Sequence, residues 1–199
     1  MKITIIGASG HGKVVAEIAS LCGYDQIEFL DDNESLSNCG DWPIVGKSIK
    51  AIEIENDLFI AIGNSSIRRK LTEKLKNKTF VTLVHPSAVV SKNSIIGPGT
   101  VIMAGACINP DAIIGAGCII NTCSSIDHDC KIGDYSHISV GSHLCGTVIV
   151  GEDSWIGAGS TIINNISITS GCLIGAGAVV VNDINERGTY IGVPAKLKR

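Results

Sequence analysis

From Ala88 to Val181 the chain carries an aliphatic residue at every sixth position. Written in blocks of six beginning AVVSKN, SIIGPG, TVIMAG and ACINPD, the third place is held without a break from Val90, Ile96, Ile102 and Ile108 to Ile168, Ile174 and Val180. An amphipathic helix needs apolar recurrence near 3.6 and a half-buried strand needs alternation, so an unbroken period of six predicts a solenoid. The first place of each block is small, as at Ala106, Ala112, Cys118, Ser124 and Cys130, with only Val148 and Ile166 bulky. A chain that turns a corner every six residues, with one branched side chain inward per face and a small residue at the tight place, winds a triangular prism. Three blocks make a coil, and the stretch makes about five coils spaced at about 4.8 Å, a prism roughly 25 Å tall.

The residues ahead of the repeat have a different rhythm. KITII reads as a buried strand, GASGHGK as a turn, and VVAEIASLCGY as a helix with Val14, Val15, Ile18 and Leu21 on one face. IEFLDD is a second strand ending in two carboxylates. A loop containing Asn38, Gly40 and Pro43 leads to a third strand, DLFIAIG. SSIRRKLTEKLKN is a charged helix opened by Asn64 or Ser65, and TFVTLVH a last strand. Alternating strands and helices predict a parallel sheet whose ligands sit at the carboxyl ends of its strands. The expected organisation is therefore an α/β Rossmann-like domain over residues 1–84 and an all-β domain with a C-terminal tail over residues 85–199.

Composition narrows the function classes. With 199 residues, 45% of them apolar, the chain can build two modest cores. A formal charge of -3 and the lack of a basic run give no electrostatic support to nucleic-acid or membrane-surface binding. The N-terminal apolar run is interrupted at once by Gly7, unlike a signal peptide or membrane span, so a cytoplasmic protein is expected. The eight cysteines form no CxxC pair, and Cys118, Cys130 and Cys172 occupy the small corner place, so they are read as reduced and structural.

Two candidate chemical regions stand out. In GASGHGK, Gly7 and Gly12-Lys13 have P-loop spacing, but Val14 stands where a magnesium-binding hydroxyl is needed. The glycines at 7, 10 and 12 also miss the dinucleotide fingerprint, although they still let backbone approach a pyrophosphate above a helix N-terminus. Asp31 and Asp32 end the second strand about 20 residues on, where an acid can bind ribose hydroxyls. In the repeat, His128, His137 and His143 fall within one short stretch; His128 is followed by Asp129, and His137 and His143 take the second, outward place. Stacking every 18 residues puts Gly146 over His128 and Trp155 over His137.

GASGHGK, FLDD, FIAIGN with Ile67-Arg68, HPSA, SSIDHDCKIGDYSHISVG and YIGVPAK occur in this order over nearly the whole chain. This set resembles the sialic-acid O-acetyltransferase and UDP-amino-sugar N-acetyltransferase family, of the NeuD and PglD type, among the hexapeptide-repeat acyltransferases. The resemblance implies a left-handed parallel β-helix behind a nucleotide-sugar-binding domain, assembled as a homotrimer with acetyl-CoA between neighbouring prisms. It makes His128 the general base and Asp129, where well-studied members carry Glu, the acid that raises its basicity. It assigns His137 to the acetyl carbonyl, Ala158 and Ala176 to backbone contacts with the pantetheine arm, and Lys196, Lys198 and Arg199 to the neighbourhood of the CoA phosphates. Ser9, Gly10, His11, Asp31, Asp32 and Gly63 match the nucleotide-sugar pocket.

The expected activity is acetyl transfer from acetyl-CoA, without a metal, to the amino group of a nucleotide-linked sugar, with UDP as the expected nucleotide. Transfer to a hydroxyl, as in sialic-acid modification, needs the same base and donor. A zinc lyase of the γ-carbonic-anhydrase kind would use His128, His137 and His143 as ligands shared between subunits and leave the front domain without a task. A non-catalytic sugar-nucleotide-binding or assembly protein is the remaining alternative.

Overall fold

The computed structural model describes residues 1–198, and the chain divides into two compact units, one of residues 1–86 and one beginning at Ser87. In the first unit β1 (Lys2–Ile6) lies between β2 (Gln26–Leu30) and β5 (Asp57–Ile60), parallel to both. β4 (Trp42–Gly46) runs parallel beyond β2, and β3 (Asn38–Cys39) closes that edge antiparallel. The order β3-β4-β2-β1-β5 means that the chain moves outward from β1 on one side and returns on the other as β5. That reversal creates a crevice at the carboxyl ends of β1 and β5, the usual ligand position in open sheets of this kind.

From Ile3 to Ile6 β1 is buried on both faces, which explains its apolar run; its one buried polar side chain, Thr4, donates to Glu28 at 2.8 Å and accepts from Asn56 at 3.0 Å. α1 (Gly10–Leu21) begins four residues before the helix read from sequence, and it buries Gly12, Val15, Ala16, Ile18 and Ala19. Val14 and Leu21, expected on the buried face, are exposed. The small side of the helix is selected by close approach, since a Cβ at Gly12 would lie 2.2 Å from the Gly7 carbonyl oxygen. α2 (Ser65–Lys74) is capped by Asn64, whose side chain accepts from the Ile67 amide at 3.1 Å.

Two expectations for this unit are corrected. The region expected to be a loop around Asn38, Gly40 and Pro43 forms β3, β4 and a 3-10 helix, Ser48–Ile52. Trp42–Gly46 does alternate in burial, a pattern that Pro43 and Gly46 disguise in the sequence. The strand expected over TFVTLVH contracts to a bridge between Leu58 and Phe80 and the short strand Leu83–Val84.

The second unit is the triangular prism. Each block supplies a two-residue strand at its second and third places, paired in parallel with strands 18 residues away, as in Ile119–His137–Trp155–Leu173. From Ile102 to Val180 every third-place residue is at most 3% exposed, which explains the strict period of six. First-place residues are buried too, and their hydroxyls and thiols reach carbonyls of the next coil: Thr100 Oγ1 donates to Gly115 at 2.9 Å and Ser136 Oγ to Gly151 at 3.1 Å. A corner filled from inside has room only for a small side chain. Every sixth-place residue from Gly99 to Gly177 turns the corner with left-handed φ; these include Asp111, Cys123, Asp129, Tyr135, Thr147, Asp153 and Asn165 as well as glycines. After the last coil, Thr189–Ile191 pairs with Leu173–Ile174 and then antiparallel with Lys196–Leu197. Among the described residues no helix is long and apolar enough to cross a membrane.

Candidate functional site

On the prism, His128 stands at a corner and is followed by Asp129 with φ 60°. Asp enters this left-handed region more readily than most side chains do, and from it the carboxylate reaches back to the preceding ring. Asp129 Oδ2 lies 2.8 Å from His128 Nδ1. When Nδ1 donates to the carboxylate, Nε2 retains the lone pair needed to accept a proton. Asp127 braces the same turn: its Oδ1 accepts from the His128 amide at 2.8 Å and from Asn109 Nδ2 at 2.7 Å. The His128 side chain is 55% exposed. Its pKa is nevertheless raised, first by the hydrogen bond to Asp129 and then by the charge of Asp127.

His137 projects from the wall on the strand His137–Ile138. Asn121 Nδ2 lies 3.0 Å from its Nε2. One coil on, Trp155 stacks on the ring with centroids 5.1 Å apart and planes at 24°. The indole is itself fixed, because Nε1 donates to Ser139 Oγ at 2.6 Å. Trp155 opens a largely apolar groove of about 280 Å³ that continues past Gly157, Ala158, Leu173 and Ala176. Ala158 and Ala176 are exposed there, and the neighbouring corners Gly159 and Gly177 face open space. His143 is elsewhere engaged, with Nδ1 2.8 Å from Ser125 Oγ. Among the described residues no three His, Cys, Asp or Glu side chains gather as metal ligands. Lys196 and Lys198 are exposed, and Arg199 lies outside the described residues.

In the first unit, Ser9, Gly10 and His11 follow β1 and Gly63 follows β5, at the crevice set by the strand order. The two loops touch: Gly7, at φ 108°, has no room for a Cβ, which would meet the Ala61 carbonyl oxygen at 2.8 Å. Asp31 supports this arrangement, accepting from the Ala8 amide at 2.7 Å and from the Asn33 amide at 2.8 Å. Asp32 turns to the 3-10 helix, accepting from the Ser48 amide and hydroxyl, both at 2.9 Å. Burial, followed by the charge of Arg68, pushes the His11 ring down to about 4.

Sequence reasoning did not single out Asn121, Asp127, Asn109 or the buried Arg68 as site residues. Asn109 and Asp127 are 18 residues apart and so stack; that spacing is the signal which finds them. Nothing local in the sequence marks Arg68 as buried.

An α/β unit followed by a hexapeptide prism is a class of architecture, and comparison with known proteins makes the class specific. Residues 2–75 match the PglD N-terminal domain, and residues 147–182 match the bacterial transferase hexapeptide repeat. The chain is 41% identical to the acetyltransferase domain of PglB from Neisseria gonorrhoeae FA1090, over 99% of both chains, with a TM-score of 0.93. It is 38% identical to PerB from Caulobacter crescentus, solved in complex with CoA and GDP-perosamine, over 100% of this chain and 98% of that one, with a TM-score of 0.94. A stretch of 110 residues is 40% identical to UDP-N-acetylbacillosamine N-acetyltransferase of Bacillus subtilis (strain 168), covering 51% of this chain and 51% of that relative, so the match spans about half of that protein's length. The chain belongs to this family of hexapeptide-repeat acetyltransferases with a PglD-type N-terminal domain.

Proposed function

We propose that the protein transfers the acetyl group of acetyl-CoA to the amino group of a nucleotide-linked amino sugar, with His128 as general base. The observation that carries the reading is the His128–Asp129 pair, a ring bonded to a carboxylate at one nitrogen and left with a lone pair at the other. An amino sugar arrives at neutral pH largely as an ammonium, whose nitrogen has no lone pair to offer. His128 Nε2 takes a proton, nitrogen attacks the thioester carbonyl carbon, and the C–N bond forms. The C–S bond then breaks, the proton held by His128 passes to the departing thiolate, and the nitrogen sheds its second proton to solvent, giving amide, free CoA and one released proton.

The remaining roles follow from the two units. His137, oriented by Asn121 and Trp155, meets the acetyl carbonyl, and the groove past Ala158 and Ala176 takes the pantetheine arm. Ser9, Gly10, His11, Asp31, Asp32 and Gly63 form the nucleotide-sugar site of a binding unit, and Asp129 raises the basicity of His128. Of the named relatives, the Bacillus subtilis protein is an N-acetyltransferase and PerB was solved with GDP-perosamine, which favours nitrogen over oxygen as acceptor. A neighbouring copy completes the acetyl-CoA site in a homotrimer, a reading supported by the outward residues Ile95, Ile113 and Ile149 on one wall, where Lys131 stands between the last two. Both substrates belong to the cytoplasm, where the enzyme is expected to act.

The test is thiol release from acetyl-CoA with a panel of UDP-, GDP- and dTDP-linked amino sugars and their hydroxyl counterparts. Turnover of an amino sugar, abolished in His128→Ala protein, is expected. Turnover of hydroxyl acceptors alone, or tight binding of a nucleotide sugar without any thiol release, would remove the assignment.

A further inference from the structure

The first unit buries a charge that the reaction above does not use. Arg68 is 1% exposed, and its Nη1 donates to the carbonyl oxygens of Ile62 at 2.7 Å and Gly63 at 3.0 Å. These carbonyls form the loop after β5, one lip of the crevice, and that loop packs on Gly7 in the other lip. A guanidinium taken out of water is costly unless its donors are satisfied. A residue serving only helix stability would have no need to place the charge there.

The second observation is His11, on the first turn of α1. Its Nε2 is buried and has no hydrogen-bond partner in the protein. Of the charged groups nearby, Arg68 from α2 acts on this ring, whereas Asp31 after β2 is held by the Ala8 amide and Lys13 acts on Cys39.

Resting on the nucleotide-sugar reading of this crevice, we propose that Arg68 is its positioning residue, fixing by two hydrogen bonds the Ile62–Gly63 lip that lies across from the buried, unpartnered Nε2 of His11. Burial and that positive neighbour leave His11 uncharged at neutral pH, with its pKa at about 4. An uncharged imidazole is one donor and one acceptor. His11 therefore meets the ligand as a hydrogen-bonding group, at a sugar, ribose or base position or a phosphate oxygen, and contributes no countercharge to the diphosphate. Affinity should then be unchanged by His11 between about pH 6 and 8.

The experiment compares full-length wild type with Arg68→Met, Arg68→Lys and His11→Asn. Histidine-selective NMR follows the His11 ring, assigned by its loss in His11→Asn; calorimetry follows UDP and GDP binding; kinetics use whichever amino-sugar nucleotide the panel identifies. In Arg68→Met the His11 pKa should move up toward 6.5, with KM for the nucleotide sugar rising about tenfold or more, KM for acetyl-CoA held within twofold and kcat falling less than KM rises. Arg68→Lys keeps the charge but loses the fork geometry, so the His11 pKa should stay low while nucleotide-sugar KM rises to an intermediate value. If Arg68→Met does not fold, the Arg68→Lys pattern decides. An unmoved His11 pKa in folded Arg68→Met, an Arg68→Lys enzyme with wild-type KM, or nucleotide affinity that falls as wild-type His11 deprotonates would overturn the proposal. If no amino-sugar nucleotide is turned over, the proposed activity fails by itself, while the NMR and calorimetry still decide the Arg68–His11 link.

Discussion

Gly146 lies one coil from His128, and a Cβ at residue 146 would stand 2.6 Å from ring atoms Cε1 and Nε2. The glycine is thus the shelf that admits the imidazole in this orientation. Its backbone does not require glycine, since its φ is not in the left-handed region. Gly146→Ala should fold normally and displace the ring. A catalytic group moved by up to an ångström can cost about a hundredfold, so a loss of roughly tenfold to a hundredfold in kcat is expected. Steady-state kinetics beside circular dichroism would check it; an unchanged kcat would mean that the ring does not need its present place.

The pH profile follows from the charge around His128. Its pKa is raised, mainly by the Asp129 hydrogen bond, so its active deprotonated form accumulates only above the ordinary histidine value of about 6.5. Activity should rise with pH through that inflection. Asp129→Asn should move the inflection to lower pH, and Asp127→Asn should move it the same way by less. Profiles of kcat/KM between pH 5.5 and 9 would show this; coincident inflections in wild type and Asp129→Asn would separate the carboxylate from the base.

Removal of the ring in His128→Ala should lower kcat by about 10² to 10⁴ while acetyl-CoA affinity stays near wild type. His143→Ala, which loses only the contact with Ser125, should keep most activity. Single-turnover assays on both variants decide, and near-normal transfer by His128→Ala would end its role as base.

Much of this was legible because the prism's rule is local and repeated. Ile132 and Ile138 are buried for the same reason, so a period in the sequence becomes a wall in space. Adjacency also made His128 and Asp129 readable as a pair. Asn121 on His137 and Asn109 on Asp127 were not singled out, since such partners meet only when coils stack. The first unit was harder still. The carboxylates of Asp31 and Asp32 look like ligand groups in sequence, and that both also accept protein amides and so brace the loops around them is visible only in three dimensions.

The interior rule has its own test. Ile132 is 3% exposed within the prism, and a carboxylate there would have no partner. Ile132→Asp should cost several kcal/mol, comparable with the stability of a whole domain, and give unfolded or dispersed protein. Thermal melts and size-exclusion chromatography are the readouts; intact, assembled protein would contradict the inward row.

Acid should expose the strain on His11. The unfolded ring binds a proton near pH 6.5 and the folded ring only near 4, so between these values the unfolded state holds more protons and stability falls as pH falls. The loss attributable to this group is up to about 3 kcal/mol. Urea unfolding at pH 7 and pH 4.5 should therefore differ less for His11→Asn than for wild type, and equal differences would deny the ring its uncharged folded form.

The three-block coil also sets which insertions and deletions the prism can accept. Excising one block would keep every interior contact type, because the next third-place residue is again aliphatic, but it would rotate everything downstream by one face. Ala158 and Ala176 would then leave the wall that carries His137. Only a change of 18 residues, a full coil as in the ladder from His137 to Trp155 and Leu173, keeps faces in phase. Length variation among functional descendants of such a chain should therefore be quantised: six-residue changes conserve the fold and scramble the groove, and whole coils alone conserve both.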